Sequence, residues 1–292
     1  MSKSKTTTSG NGLITISADS TADLSKELYD RYKIQVVPLG VVIGDKPYWD
    51  GVDITPEDVY HSVEKNGVMP KSSAVSDEVY AEMFEKNKAS AHHLHFSVSD
   101  KLSASHGNAK RAAERFKNVT VIDSKVLSSG TGLLCILARE MDEAGLNGKE
   151  IIEKITDITN GGRQQTSFVL DNLKFLHKGG RVSGLKLLGA NLLKIHPELR
   201  CDAEGKLVPG KKFKGNFVKV TQEYTKYIID SNPNANKDIV MVTYTAIDPA
   251  IPNQMEKDLK AAGFKRVLQT QAGSVITCHC GRSTIGILFV NN

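Results

Sequence analysis

The sequence predicts an α/β protein in two parts: a parallel three-layer α/β/α domain, then an α+β domain on a mixed sheet. Three observations lead there. From Leu13 to Ile158, short β-branched runs alternate with helix-like segments, the pattern of a parallel sheet covered on both faces. After Gly161-Gly162, strand-like runs follow one another with few helices between them, which is the α+β pattern. Finally, three runs of the first part end in similar chemistry: Asp19-Ser20-Thr21, Ser97 onward and Asp123-Ser124. In parallel sheets, ligands gather outside such carboxyl ends. The expected division is 1–12 as a disordered lead-in, 13–161 as the parallel domain and 162–292 as the mixed one.

The elements follow in order. Leu13–Ser17 is a strand, rich in β-branched residues. Ser20 or Thr21 is positioned to cap a helix over Leu24–Tyr32. Ile34–Leu39 is a strand whose end is marked by Pro38. Val41–Ile43, Gly44-Asp45 and Tyr48-Trp49 form a small hairpin. Thr55 as N-cap, Pro56 at the first position and Glu57-Asp58 in the first turn open the next helix. The hydroxyl-rich loop Pro70–Ser76 leads into a helix over Asp77–Lys88, and Ala91–Phe96 is a strand. Val119–Asp123 is a strand, Leu133–Ala144 a helix ended by Gly145, and Gly148–Ile158 a further helix. In the second part, strands are expected at Gln165–Leu170, Ile195–Leu199, Leu207–Phe213, Ile239–Tyr244, Arg266–Thr270, Ser274–Cys280 and Ile285–Val290. Helices are expected at Asn172–His177, Phe217–Asn232 and Asn253–Ala262.

Composition narrows the function. With 292 residues, 40% of them hydrophobic, the chain can fill two cores. A net charge of +5, scattered lysines and 6% aromatics argue against a nucleic-acid stripe. No run of 18 apolar residues exists, so no membrane insertion is expected. Met1 to Gly12 lacks an apolar centre and does not read as a secretory signal. The four cysteines show no disulfide spacing, so reduced thiols and a cytoplasmic protein are expected. Cys278-His279-Cys280 has the residue types of a metal site. Read as a strand, however, it points neighbours to opposite faces, and a structural zinc needs four ligands. No metal or cofactor is therefore expected.

Ser90–Asn108 is the stretch on which function centres. A strand, a segment carrying Ser97, Ser99, Ser103 and Ser105, and a helix start together make an anion cradle. The plainer alternative is that these serines only cap and turn the chain. His93 and His95 share one strand face; a packing role outweighs metal ligation because no carboxylate or Cys stands near them in sequence. Lys178–Arg181 is a basic glycine loop for a phosphate or a partner, or only a tight turn. Lys211, Lys212 and Lys214 form either a solvated face or a docking patch for an acidic surface.

Several landmarks stand in one order: Asp19–Leu24, Val36–Leu39, Pro70–Ser76, Leu102–Ser105, Asp123-Ser124, Leu176–Ser183 and His279–Gly281. In this order, over Leu13 to Val290, the chain resembles the DegV family, which includes the fatty-acid-binding subunits of bacterial fatty acid kinase. The resemblance implies two α/β domains with a ligand tunnel between them. It implies a long-chain fatty acid whose carboxylate meets Ser72, Ser73, Ser103 and His279; beside these, Ser97 and Ser105 of the serine segment and Arg282, close to His279 in the chain, are candidate supporting groups of this chain's own. It further implies a separate kinase subunit that phosphorylates the bound acyl group, so that this chain carries no catalytic residue. Tunnel-lining candidates are Leu185–Leu193 and Val126–Leu137. The chain departs from the family pattern at Ala104-Ser105-His106 and at Arg282-Ser283. The competing expectation is an enzyme handling phosphate or small anions on a dihydroxyacetone-kinase-like fold. No phosphate-binding glycine-lysine motif supports it.

Overall fold

Runs rich in β-branched residues form the strands Thr15–Asp19, Ile34–Val37, Gly40–Ile43 and Val119–Asp123 of the first part, and side-chain caps open its helices at Lys26–Arg31, Pro56–Glu64 and Gly148–Asn160. The computed structural model describes residues 14–182 and 195–292. The lead-in and the Leu185–Leu193 candidate lie outside these residues. The order is β1 (Thr15–Asp19), a 3-10 turn at Ser20–Ala22, α1 (Lys26–Arg31), β2 (Ile34–Val37), β3 (Gly40–Ile43), β4 (Lys46–Trp49) and α2 (Pro56–Glu64). Then come β5 (Lys71–Ser73), α3 (Asp77–Lys86), β6 (His93–Ser97), α4 (Ser105–Ala113), β7 (Val119–Asp123), α5 (Ser129–Glu143) and α6 (Gly148–Asn160). The second part holds β8 (Gln164–Leu170), α7 (Lys174–Gly179), β9 (Ile195–Cys201), β10 (Leu207–Lys214), α8 (Phe217–Ser231), β11 (Ile239–Tyr244), α9 (Ala250–Ala261), β12 (Arg266–Gln271), α10 (Ser274–Cys280) and β13 (Thr284–Val290).

Strands β2-β1-β6-β7 make a four-stranded sheet, parallel throughout. Strands β4-β3-β5 make a small antiparallel sheet beside it. A separate six-stranded sheet runs β10-β9-β8-β13-β11-β12, with β11 and β12 parallel and its other pairs antiparallel. The expected fold class, parallel α/β followed by a mixed sheet, is the one observed. Every strand of the parallel sheet precedes Gly161 and every strand of the six-stranded sheet follows it. We take Gly161-Gly162 as the boundary between the two domains.

Local chemistry explains several of these elements. Thr55 Oγ1 accepts from Asp58 N while Asp58 Oδ2 accepts from Thr55 N, and Pro56 stands at the first helical position of α2. At α1 the cap is Ser25, not Ser20 or Thr21, because those two are wound into the 3-10 turn and Asp23 reverses the chain at φ 48°. The stretch Ser274–Cys280, expected as a strand, is the helix α10. Its β-branched Val275-Ile276-Thr277 core favours a strand locally. The amides of Gly273 and Ser274 find aspartate side chains of the first domain instead, and tertiary contacts override propensity.

Helix α5 joins the two sheets. Leu133, Leu134, Ile136 and Ala138 pack in one cluster with Ile16, Leu94 and Phe96 of the parallel sheet and with Met241, Leu288 and Val290 of the six-stranded sheet. A second shared cluster joins Val98 and Leu127 to Leu170, Leu176, Leu199 and Leu207. Two apolar clusters therefore bridge the domains.

Candidate functional site

A cavity of about 240 Å³ lies between the carboxyl ends of the parallel sheet, α10 and one face of the six-stranded sheet. Leu39, Val98, Leu102 and Leu127 line it from the first domain. Phe168, Leu176, Leu207, Val275, Ile276 and Leu288 line it from the second. On β13 the alternation shows: Thr284, Gly286 and Leu288 share one face of the strand and all reach the wall. Gly286 pairs with Phe168 on one side and Thr243 on the other, so a residue without a side chain sits between two wall residues. A Cβ at Gly286 would come 2.7 Å from the Ser167 carbonyl oxygen and 3.0 Å from Phe168 Cβ.

The polar end of the cavity collects the predicted head-group residues. Ser72, Ser73, Ser103 and His279 all line it, although they come from β5, the β6–α4 loop and α10. Ser72 Oγ lies 2.7 Å from His279 Nε2 across the domain boundary. Ser103 Oγ accepts from Ser105 N at 3.1 Å and so helps to start α4. Ser73, Ala104 and Arg181, also on the wall, are exposed, so this end opens to solvent. Gly179 faces the other side of the imidazole: a Cβ there would fall 2.4 Å from His279 Nδ1. Only glycine lets the chain pass the ring so closely.

Burial first, and the Arg181 charge second, push the His279 pKa down to about 4. The ring is therefore neutral at pH 7, which excludes a standing charge-assisted bond from it in the ligand-free protein. Among the described residues Nδ1 is buried without a partner, while Nε2 faces Ser72. A buried orphan N–H is costlier than a bare lone pair, so the proton is assigned to Nε2.

The three expected supporting groups do not line the cavity, although one of them, Ser105, touches Ser103. Ser97 Oγ meets His106 Nδ1 at 2.8 Å and donates to the Ile122 carbonyl. Ser105 is fully buried, its Oγ 2.9 Å from Ser103 Oγ. Arg282 donates to Glu57 and Glu64 of α2, each at 2.8 Å, and stacks on Tyr60. Of the Val126–Leu137 candidates, Leu127 and Ser128 reach the wall, while Leu133, Leu134 and Ile136 are core. The wall also holds Thr21, Thr243, Tyr244, Thr245, Thr284 and Arg181. Thr21 belongs to the strand end Asp19-Ser20-Thr21 and Arg181 to the basic glycine loop, both visible in the sequence; Thr243, Tyr244, Thr245 and Thr284 needed the sheet register.

The histidine pair of β6 is structural in its contacts. Ser17 Oγ sits 2.7 Å from His93 Nε2 and 2.9 Å from His95 Nδ1, and all three residues are fully buried. Cys278 packs with Val37, Val41 and Val275, whereas Cys280 joins the cluster of Leu170 and Leu176 and touches the cavity. Among the described residues, no group of three or more His, Cys, Asp or Glu side chains is arranged to hold a metal ion. No described helix is long and apolar enough to cross a membrane.

Comparison with known proteins places this arrangement. A family model described as "Uncharacterised protein, DegV family" matches residues 13–292. A DegV domain-containing protein of Caldanaerobacter subterraneus is 29% identical over 284 residues, covering 94% of this chain and 98% of its own. A Thermus thermophilus DegV family protein, described for its fatty acid binding, superposes with a TM-score of 0.86 at 27% identity. It covers 96% of this chain and 100% of its own length. A DegV lipid-binding protein of Thermotoga maritima gives 0.84 at 27% identity, over 96% of this chain and 99% of its own. With its parallel sheet, its mixed sheet and a family match over nearly the whole chain, this protein belongs to the DegV family.

Proposed function

We propose that this chain is a fatty-acid carrier: it buries a long acyl chain in the cavity and holds the carboxylate at Ser72, Ser73, Ser103 and His279. The observation that carries this reading is the cavity's polarity. Leucine, valine and phenylalanine side chains make up much of the wall, with scattered threonines among them, and three serines and a neutral imidazole gather at the open end. Fatty acid binding by the Thermus thermophilus relative supports it. A carboxylate taken out of water needs all its hydrogen bonds replaced. With the imidazole N–H donated to Ser72 Oγ, the Ser72 hydroxyl proton is free for the carboxylate. Arg181 at the mouth adds an attractive potential for the anion without enclosing it. Affinity comes chiefly from the chain, at about 0.8 kcal/mol per buried methylene before association losses.

The head group's place at the mouth suits presentation to a second protein. A carboxylate held by neutral donors keeps an oxygen available for phosphoryl transfer, so we infer that a separate kinase phosphorylates it and that this chain is not itself an enzyme. Native mass spectrometry of the purified protein is expected to show a bound fatty acid. Absence of any lipid, together with failure to bind added palmitate, would overturn the carrier reading. ATP turnover by this chain alone would overturn its non-enzymatic role.

A further inference from the structure

We infer that Asp23 and Asp50 are positioning residues for His279: two buried aspartate side chains of the first domain hold the start of α10, and α10 sets the imidazole against Ser72. Asp23 Oδ1 accepts from Gly273 N at 2.9 Å, and Asp50 Oδ1 accepts from Ser274 N at 2.7 Å. Both residues are buried. Their second oxygens are fixed in turn: Ser128 Oγ donates to Asp23 Oδ2, and Ser20 Oγ donates to Asp50 Oδ2 at 2.8 Å. Ser20 Oγ also accepts from Leu39 N at 3.1 Å. Gly273 lets the two aspartates close on the helix start. A Cβ there would lie 3.1 Å from both Asp50 oxygens and 3.2 Å from Asp23 Oδ1.

The helix depends on these anchors for its place. At seven residues, and with a β-branched centre, α10 is far below the length at which a helix holds itself together. From Gly273 to His279 it advances about 9 Å, so a shift or tilt at the anchored end is carried to the ring. The same helix presents Val275, Ile276 and Cys280 to the cavity. Leu39 and Ser128, which brace the aspartates, also lie on the wall. The clamp and the site thus share their supports.

The inference rests on the carboxylate reading of the cavity, and a double-mutant cycle separates the two. Palmitate affinity is measured for the full chain, Asp50→Ala, His279→Ala and the double variant. His279→Ala is expected to weaken binding on the order of tenfold, the loss of one hydrogen bond to a charged group. Asp50→Ala is expected to weaken it comparably, and the double variant no further than His279→Ala alone. Asp50→Asn keeps an acceptor for Ser274 N and is expected to restore affinity. In Asp50→Ala, the His279 ring followed by NMR titrates closer to the ordinary histidine value. Additive losses in the cycle would overturn the positioning role while leaving the carrier reading intact. Unchanged affinity in His279→Ala would overturn the carboxylate reading and this inference with it. Should Asp50→Ala fail to fold, Gly273→Ala disturbs the same contact from the helix side and takes its place in the cycle.

Discussion

Burial keeps His279 uncharged, and that has a sign in pH. In the unfolded chain a histidine takes up its proton near pH 6.5, whereas in the fold His279 does so only near 4. Above pH 6.5 the folded protein therefore enjoys its full stability. As pH falls from 6.5 towards 4, the unfolded chain binds a proton that the fold refuses, and stability is lost. At 1.36 kcal/mol per unit, the loss amounts to about 3 kcal/mol from this group. His93, pushed by burial to about 3, adds to it in the same direction. Thermal melts of the lipid-free protein from pH 7 to 4 are expected to show the decline, and His279→Ala to show a shallower one. Ser72→Ala strands the imidazole N–H in its pocket and is expected to weaken palmitate binding about tenfold by fluorescence titration. Arg282→Ala is expected to leave binding unchanged, since its partners are Glu57 and Glu64. Adjacency to His279 in the chain made Arg282 look like a head-group residue. Gly281, at φ +69°, turns the backbone away at the end of α10 and sends the guanidinium to α2. Which way a side chain leaves such a turn is not written in its position along the chain.

Elements whose signals are local could be read without the fold. Thr55, Pro56 and Asp58 mark the start of α2 within four residues, and the structure closes the expected cap there. Thr55→Ala is expected to cost about 1 kcal/mol in urea unfolding and to leave ligand affinity unchanged. Helix α10 is the opposite case. Its partners Asp23 and Asp50 lie more than 200 residues away, so Val275-Ile276-Thr277 could be judged only by its strand preference. Strand β13 was expected in place, yet the role of Gly286 required the register with Phe168 and Thr243. Gly286→Ala is expected to push Phe168 into the cavity, and the fatty acids extracted from that variant, profiled by mass spectrometry, should shift to shorter chains. An unchanged profile would mean that this part of the wall does not meet the acyl chain.

On the scale of the whole molecule, alternating strands and helices made the two sheets predictable, but not the way they share a core. Helix α5 was expected to cover the parallel sheet; its packing on β11 and β13 as well follows from side chains that no local pattern assigns to two partners. A ligand between the domains stabilises both together. At a hundredfold excess over its Kd, stabilisation of about 2.7 kcal/mol is expected, seen as a higher melting temperature for reloaded than for delipidated protein. The shared core also fixes how cargo travels. Because α5 packs against both sheets, the domains cannot swing apart to admit a ligand without exposing the centre of the protein. On the carrier reading proposed above, a fatty acid would instead be threaded lengthwise through the mouth beside Ser73 and Arg181, tail first on entry and head first on exit. Each added methylene then lengthens the path out, so dissociation should slow steadily with chain length, and residence time rather than encounter becomes the property this fold controls.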